Sequence, residues 1–355
     1  QWYPVLVAAV YAITIPALIV GQMLSVWFAC LAVVVLFLVA REMGVSEKGA
    51  FAVGLMGSAY PSFLYFGSML LRESAVAAIV LLAFLFLLKI IKAFSWKRFF
   101  FLYAALLLLV HLRFYVGFVV VFVVALALLF CMATSWKKRL RETLLVVLLL
   151  GFIPQVWGHG YYGIGDIVEF LRPQKIEGYR ESAYVPQSIL QAQPKREASN
   201  SVAVKNVPQP EEQQSGADST VVVGVDTENP LIFMGQNLLS FAYVTLGPFP
   251  WHVKYGRQLI VLGETLPWLA LFFLSMLGGF SIFRKKWRIL VPLALLGFGL
   301  LVMVGLFIDN FGVYMRIRMP AFLLLLTLVP LGFAFLKRLT RRASSAMMRD
   351  SQHSS

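Results

Sequence analysis

Apolar residues run for 17 or more positions at a time along this chain, and short clusters of charge and turn residues separate the runs. One helical crossing of a bilayer needs about 20 apolar residues. The pattern therefore predicts an all-α polytopic membrane protein. Crossings fall near 22–40, 50–66, 74–91, 98–112, 115–134, 143–158, 259–283, 289–308 and 320–336, with one large loop between residues 158 and 258. The segment 2–20 is long enough to be a tenth crossing, but Pro4 and Pro16 interrupt it. Trp2, Tyr3 and Tyr11 suit a membrane interface, so the expectation leans to a helix lying there.

The stretch 60–74, YPSFLYFGSMLLRES, divides one long apolar region. Between residues 51 and 91 the only charges are Arg72, Glu73 and Lys89. That length makes two crossings with a tip between them. A charge at mid-membrane costs about 2.5–3.5 kcal/mol on insertion scales, so the tip must bring Arg72 and Glu73 to water or to a partner.

Charge then orients the runs. Arg41, Lys48, Lys89, Lys92, Lys97, Arg98, Lys137, Lys138, Arg139, Arg141, Arg284, Lys285, Lys286, Arg288 and the cluster from Lys337 to Arg349 all fall in one alternating set of loops. That set holds nineteen basic and four acidic residues, a net +15; the rest of the chain is near neutral at −1. The positive-inside rule makes the basic face cytoplasmic. The formal net charge of +14 is thus an orientation signal, and nucleic acid is excluded as a partner. The expected organisation is a first segment (1–21), a six-crossing bundle (22–158), an extracytoplasmic loop (159–258), a three-crossing bundle (259–336) and a basic cytoplasmic tail (337–355). The tail turns Ser-rich and reads as disordered. The loop contains a polar Pro/Gln/Ser insertion (194–230), also read as disordered, and an apolar re-entrant or interfacial segment (231–253) ending in GPFPWHV.

Metal and redox chemistry find little footing. Cys30 and Cys131 both lie in apolar runs. His111, His159, His252 and His353 are scattered without ligand spacing, so no metal or cofactor is expected.

The outer face carries the candidate chemistry. Arg72–Glu73, His111 with Arg113 in HLRFY, Asp309–Asn310, and Arg316 with Arg318 in NFGVYMRIRMP each lie in a short outer loop. Arginines held by short loops at a bundle mouth suit bidentate contact with phosphate; pairing with acids, or snorkelling to headgroups, is the plain alternative. Tyr60, Tyr65, His111 and Trp251 would line the mouth, and Glu73 and Asp309 would position the cations. Met319 precedes Pro320, which disfavours helix there and predicts an extended stretch placing Arg316 and Arg318 on one side. Glu264 is either embedded in the membrane, paired with an arginine and functional, or interfacial near Lys254 and Arg257.

In order along the chain come YPVLVAAVYAI, VAREMG, YPSFLYFGSMLLRES, HLRF and YMRIRMPAFLLLL. This order resembles the bacterial lipid-carrier-dependent glycosyltransferases, relatives of the dolichyl-phosphate-mannose protein mannosyltransferases and the aminoarabinose transferases. The likeness covers most of 2–158 and 236–336. It implies a GT-C-like fold of nine to ten crossings in the bacterial inner membrane, with the C-terminus cytoplasmic. It also implies inverting transfer at the outer face from a polyprenyl-phosphate-linked sugar, with little need of a divalent metal. Glu73 matches the acid after the Pro-Tyr loop, and Arg316 and Arg318 match the last-loop arginine pair. The family's catalytic aspartate precedes the segment matching YPVLVAA. No counterpart stands in this chain, which is therefore expected to be N-terminally truncated or a relative without that base. Glu73 then reads as a positioning residue. An envelope polysaccharide polymerase or ligase using a lipid-linked pyrophosphate, and a transporter or membrane scaffold, are the other readings.

Overall fold

The computed structural model describes residues 2–149, 229–247, 249, 259–307 and 311–353. Among the described residues there is no strand. Thirteen helices are present: α1 (Trp2–Ile13), α2 (Leu18–Glu42), α3 (Glu47–Ser58), α4 (Pro61–Gly67), α5 (Glu73–Lys92), α6 (Trp96–Leu112), α7 (Phe114–Cys131), α8 (Trp136–Leu149), α9 (Pro230–Leu246), α10 (Leu259–Phe307), α11 (Phe311–Ile317), α12 (Met319–Leu326) and α13 (Val329–His353). Five segments are long and apolar enough to cross a membrane: Leu18–Glu42, Glu73–Lys92, Phe114–Cys131, Gly263–Leu306 and Met319–Arg341. The described residues are all-α and include helices suited to a membrane. Residues 194–228 of the loop insertion expected at 194–230, Trp251 and Asp309 lie outside the described residues.

Helix α5 is the axis of the bundle. Its sequence is apolar all round, and α2, α6, α7 and α12 pack against it, so nearly every residue from Glu73 to Ile91 is buried. A helix apolar on all sides belongs in the middle of a packed bundle. Large apolar side chains such as Trp27, Phe51, Phe122 and Phe280 stay exposed on the surrounding helices, as lipid-facing residues do.

Its two ends gather different loops. At the far end Lys92 Nζ binds the Glu42 carboxylate at 2.7 Å, Arg98 caps the carbonyls of Lys89 and Ala93, and Lys286 Nζ reaches the Met43 carbonyl at 2.9 Å. Three loops of the basic set therefore meet in space. Gly44 makes this turn possible: its φ of +82° is a left-handed conformation costly to other L-residues, and a Cβ there would strike the Lys286 ammonium. Ser46 then caps α3 by accepting from the Gly49 N–H.

The near end is broken into short pieces. The region 50–66, expected as one crossing, is interrupted at Ala59–Tyr60, and Pro61 opens α4. A proline is tolerated in a first helical turn because its missing N–H would have no partner there. Pro320 in α12 is the same case: Met319 and Pro320 are helical, which corrects the expected extended stretch around Arg316–Arg318. Between α6 and α7 only Arg113 is non-helical, so these helices form a hairpin turned by one residue. α1 spans only about 18 Å at 1.5 Å per residue, and packs at this end through a Tyr3–Ser25 hydrogen bond of 2.8 Å.

Two further features concern the C-terminal half. α10 carries a kink at Lys286 (φ −133°, ψ 32°). A Cβ on Gly279 would lie 3.6 Å from the Leu290 side chain, although eleven residues of straight helix span about 16 Å. The arms thus double back on one another at the basic turn. Beyond Leu336, where disorder was expected, α13 continues to His353. The run KRLTRRASSAMMRD has no Gly or Pro and is rich in helix formers, which outweighs its polarity.

α10 and α13 cross at their closest through Gly278 and Gly332. A Cβ on Gly278 would run into the Leu328 carbonyl oxygen, and one on Gly332 into the Leu274 carbonyl oxygen. Small residues let membrane helices approach this closely. Gly332→Ala should therefore lower the apparent melting temperature in detergent, whereas Gly279→Ala, with only side-chain neighbours at 3.6 Å, should leave it within about 2 °C of the parent.

Candidate functional site

Two polar clusters share the near end of the bundle, and α4 touches both. The first is buried. Glu264, the lone acid in the apolar first arm of α10, is 3% exposed. One of its carboxylate oxygens accepts from the Tyr60 hydroxyl; the other accepts from the Ser62 N–H at 2.8 Å and the Ser62 hydroxyl at 2.5 Å. Arg318, 1% exposed, approaches it at 3.4 Å. The break before Pro61 makes this possible, because Ser62 sits in the first turn of α4, where its N–H has no intrahelical acceptor.

Arg318 also donates through Nη1 to the Val244 and Gly247 carbonyls, both at 2.8 Å, and so caps the C-terminus of α9. Its guanidinium lies 4.5 Å from the Phe322 ring centroid. Phe322 in turn stacks on Trp268, with centroids 3.5 Å apart and planes 9° from parallel, and the Trp268 indole N–H binds the Thr245 carbonyl at 2.7 Å. Five segments are thereby tied to one carboxylate–guanidinium pair: the α3–α4 break, α4, α9, α10 and α12. The Arg318 contact agrees with the arginine-paired reading of Glu264; Lys254 and Arg257, of the other reading, lie outside the described residues.

The second cluster is partly open. Glu73 begins α5 and Arg113 turns the α6–α7 hairpin; they form a buried ion pair, 5% and 8% exposed. Gly117 lies against the Val110 backbone, drawing α6 and α7 together beneath the arginine. Arg113 also donates to the Tyr115 hydroxyl. Arg72 donates to the Leu112 carbonyl at 3.2 Å and lies within electrostatic range of Arg113, Glu73 and Arg316. Burial, and next the like charge of Arg113, lower the Arg72 guanidinium below its ordinary pKa. Arg316, half-buried, stands 5.8 Å from the Phe66 ring centroid. Glu73, Arg113 and Arg316 line one crevice with Val76, Val116, Ile317 and Pro320.

The structure thus gathers Arg72, Glu73, Arg113 and Arg316, and separates Arg318 from them. Tyr60, expected at the mouth, is buried on Glu264. Tyr65 is exposed, and His111 is exposed and bonded to the Leu107 carbonyl at 2.8 Å. Ser62, Tyr115 and Trp268 went unnoticed in the sequence, where they carry no motif. Among the described residues no three His, Cys, Asp or Glu side chains form a metal-binding group. Three guanidinium groups around one carboxylate make a place for an anion, held by charge-assisted hydrogen bonds.

Compared with family models, curated proteins and solved structures, the chain matches none.

Proposed function

We propose that this chain is the membrane body of a glycosyltransferase that takes its sugar from a polyprenyl-phosphate donor at the extracytoplasmic face. The observation that carries the reading is the meeting of Arg72, Arg113 and Arg316, from three separate segments, around Glu73 at one end of a lipid-embedded bundle. A lipid phosphate suits that place, with an anionic head at the membrane surface on a tail compatible with the exposed apolar flanks. The basic loops at the opposite end support a cytoplasmic assignment for that face. The nine-to-ten-crossing GT-C-like arrangement, the bacterial inner membrane and the sugar transfer itself rest on the motif resemblance. Arg318 has no part in this donor site: it is buried on Glu264 and the Val244 and Gly247 carbonyls, and does not line the crevice that Arg113 and Arg316 share.

The test is transfer. Membranes containing the protein, given polyprenyl phosphate bearing a radiolabelled sugar, should move label from the donor to an acceptor; membranes without it should not. Arg72→Ala combined with Arg316→Ala should reduce that rate by about 10²-fold or more, the scale seen when charge-stabilising groups are removed from an active site. Undiminished transfer by the double variant would sink the site assignment.

A further inference from the structure

The opposite end of the bundle, which the charge pattern assigns to the cytoplasm, brings two basic turns together. One is WKKRLRE, from Trp136 to Glu142 at the start of α8; the other is RKKWR, from Arg284 to Arg288 at the bend of α10. α7 packs against both α8 and α10. A Cβ on Gly299 would lie 3.3 Å from the Val119 side chain, so the second arm of α10 runs beside α7. From that contact it is eleven residues back to Arg288 and twelve on to Cys131, about 17 and 18 Å at 1.5 Å per residue. The two positions share a level because the helices run in opposite directions. Arg139 reaches the same place from α8: both it and Arg288 act electrostatically on the Cys131 thiol. Two guanidinium groups from separate turns thus stand near one atom. Among the described residues neither has a carboxylate partner. Glu142, the one acid in these two turns, is paired with Arg141 at 3.5 Å.

Both arginines keep donors open to a ligand. Arg139 is held by its Nε, which donates to the Thr134 carbonyl at 2.8 Å, while its terminal nitrogens are neither buried nor bonded among the described residues. Arg288 is exposed, with its guanidinium 5.6 Å from the Trp287 ring centroid. Phe130, Trp136 and Trp287, their neighbours along the chain, are exposed too. We propose that Arg139 and Arg288 hold the phosphate of an anionic phospholipid from the leaflet at this end of the bundle. Two guanidinium forks suit the oxygens of one phosphodiester, and basic pockets between membrane helices recognise such head groups. The exposed aromatic side chains make the occupant a lipid, because they offer its glycerol and chains a surface that a free phosphate leaves empty. Charge selects the anionic class: the two turns hold eight basic residues and one acid. Phosphatidylcholine carries the same phosphate, but its fixed cation meets no free carboxylate here and is repelled. The site is separate from Arg72, Arg113 and Arg316 and needs nothing of the donor reading.

Native mass spectrometry of the full chain in detergent measures the lipid retained. Phosphatidylglycerol and phosphatidylcholine with identical acyl chains are offered at equal concentration. The unaltered protein should hold phosphatidylglycerol about tenfold more tightly, the scale of one hydrogen bond to a charged group. Arg288→Gln removes an exposed charge that makes no hydrogen bond among the described residues, so the fold should stay intact while the preference drops to about twofold or less. Arg139→Gln should lower it similarly. The control is Lys48→Gln with Lys97→Gln, which takes two exposed charges from other loops of the basic set; it should leave the preference within about twofold of the parent, since separated surface charges are screened. Equal retention of the two lipids by the unaltered chain would overturn the inference, and that comparison needs no variant to fold. A preference that survives both arginine variants would overturn it as well. An equal loss in the lysine control would assign the preference to charge spread over the whole face and overturn the site. Binding of glycerophosphoglycerol, the head group without chains, as tightly as the whole lipid would make the occupant a soluble phosphodiester and overturn the lipid.

Discussion

Glu264→Ala is expected to lower the unfolding free energy by about 3–5 kcal/mol, the cost of removing one partner from a buried ion pair. The loss is large because of what remains. Arg318 would stay 1% exposed with its charge unneutralised, and the Tyr60 hydroxyl, the Ser62 hydroxyl and the Ser62 N–H would lose their shared acceptor. The exposed Arg41–Glu47 pair, at 3.7 Å, is the control: Glu47→Ala should change stability by less than about 1 kcal/mol. Urea or guanidinium unfolding in a fixed detergent, followed by tryptophan fluorescence, measures both. A combined Glu264→Leu, Arg318→Met variant tests whether the cost is one of pairing. Replacing a buried pair by apolar groups of similar volume is often nearly neutral, so the double variant should be much more stable than Glu264→Ala. If it is no better, the carboxylate matters through Tyr60 and Ser62, and Arg318 is a bystander.

How much of this could be read along the chain depends on the range of the interaction concerned. Helix positions rest on local apolar runs, and α2, α5 and α7 fall within a few residues of the crossings expected at 22–40, 74–91 and 115–134. Shared ends follow from alternation, and the Lys92–Glu42 and Lys286–Met43 contacts bring together loops that only their charge had grouped. The candidate arginines were visible as cations in short outer loops. Their division was not. Glu264 and Arg318 are 54 residues apart, Glu73 and Arg113 40 apart, and no periodicity encodes which acid meets which base. Pro320 leaves the helix intact for a local reason: a helix starting at Met319 asks no N–H of its second residue. The C-terminal extension is hidden by its polarity, because Lys337–Arg349 is a good helix former whatever its solubility.

The sharpest consequence concerns two arginines two positions apart that the sequence treats alike. Arg316→Ala should weaken binding of farnesyl phosphate about 10- to 100-fold, the loss of a charge-assisted hydrogen bond of about 1.5–3 kcal/mol, while stability falls far less than in Arg318→Ala, because Arg316 is half-buried and Arg318 is 1% exposed. Arg318→Ala should do the reverse at its source. It strands Glu264 and uncaps the Val244 and Gly247 carbonyls, so the fold is lost or badly weakened before ligand is added. Lysine sharpens the contrast. At 316 a point charge can still hold a phosphate, so Arg316→Lys should keep a good part of the affinity. At 318 one nitrogen serves two carbonyls and a second faces the carboxylate. A single ammonium cannot reproduce that fork, and Arg318→Lys should remain destabilised. The pair of measurements is a titration of farnesyl phosphate in nanodiscs and a denaturant curve on the same preparation. Equal losses of affinity at matched stability in the two alanine variants would mean that Arg318 reaches the ligand after all, and that the two clusters at this end of the bundle are one site.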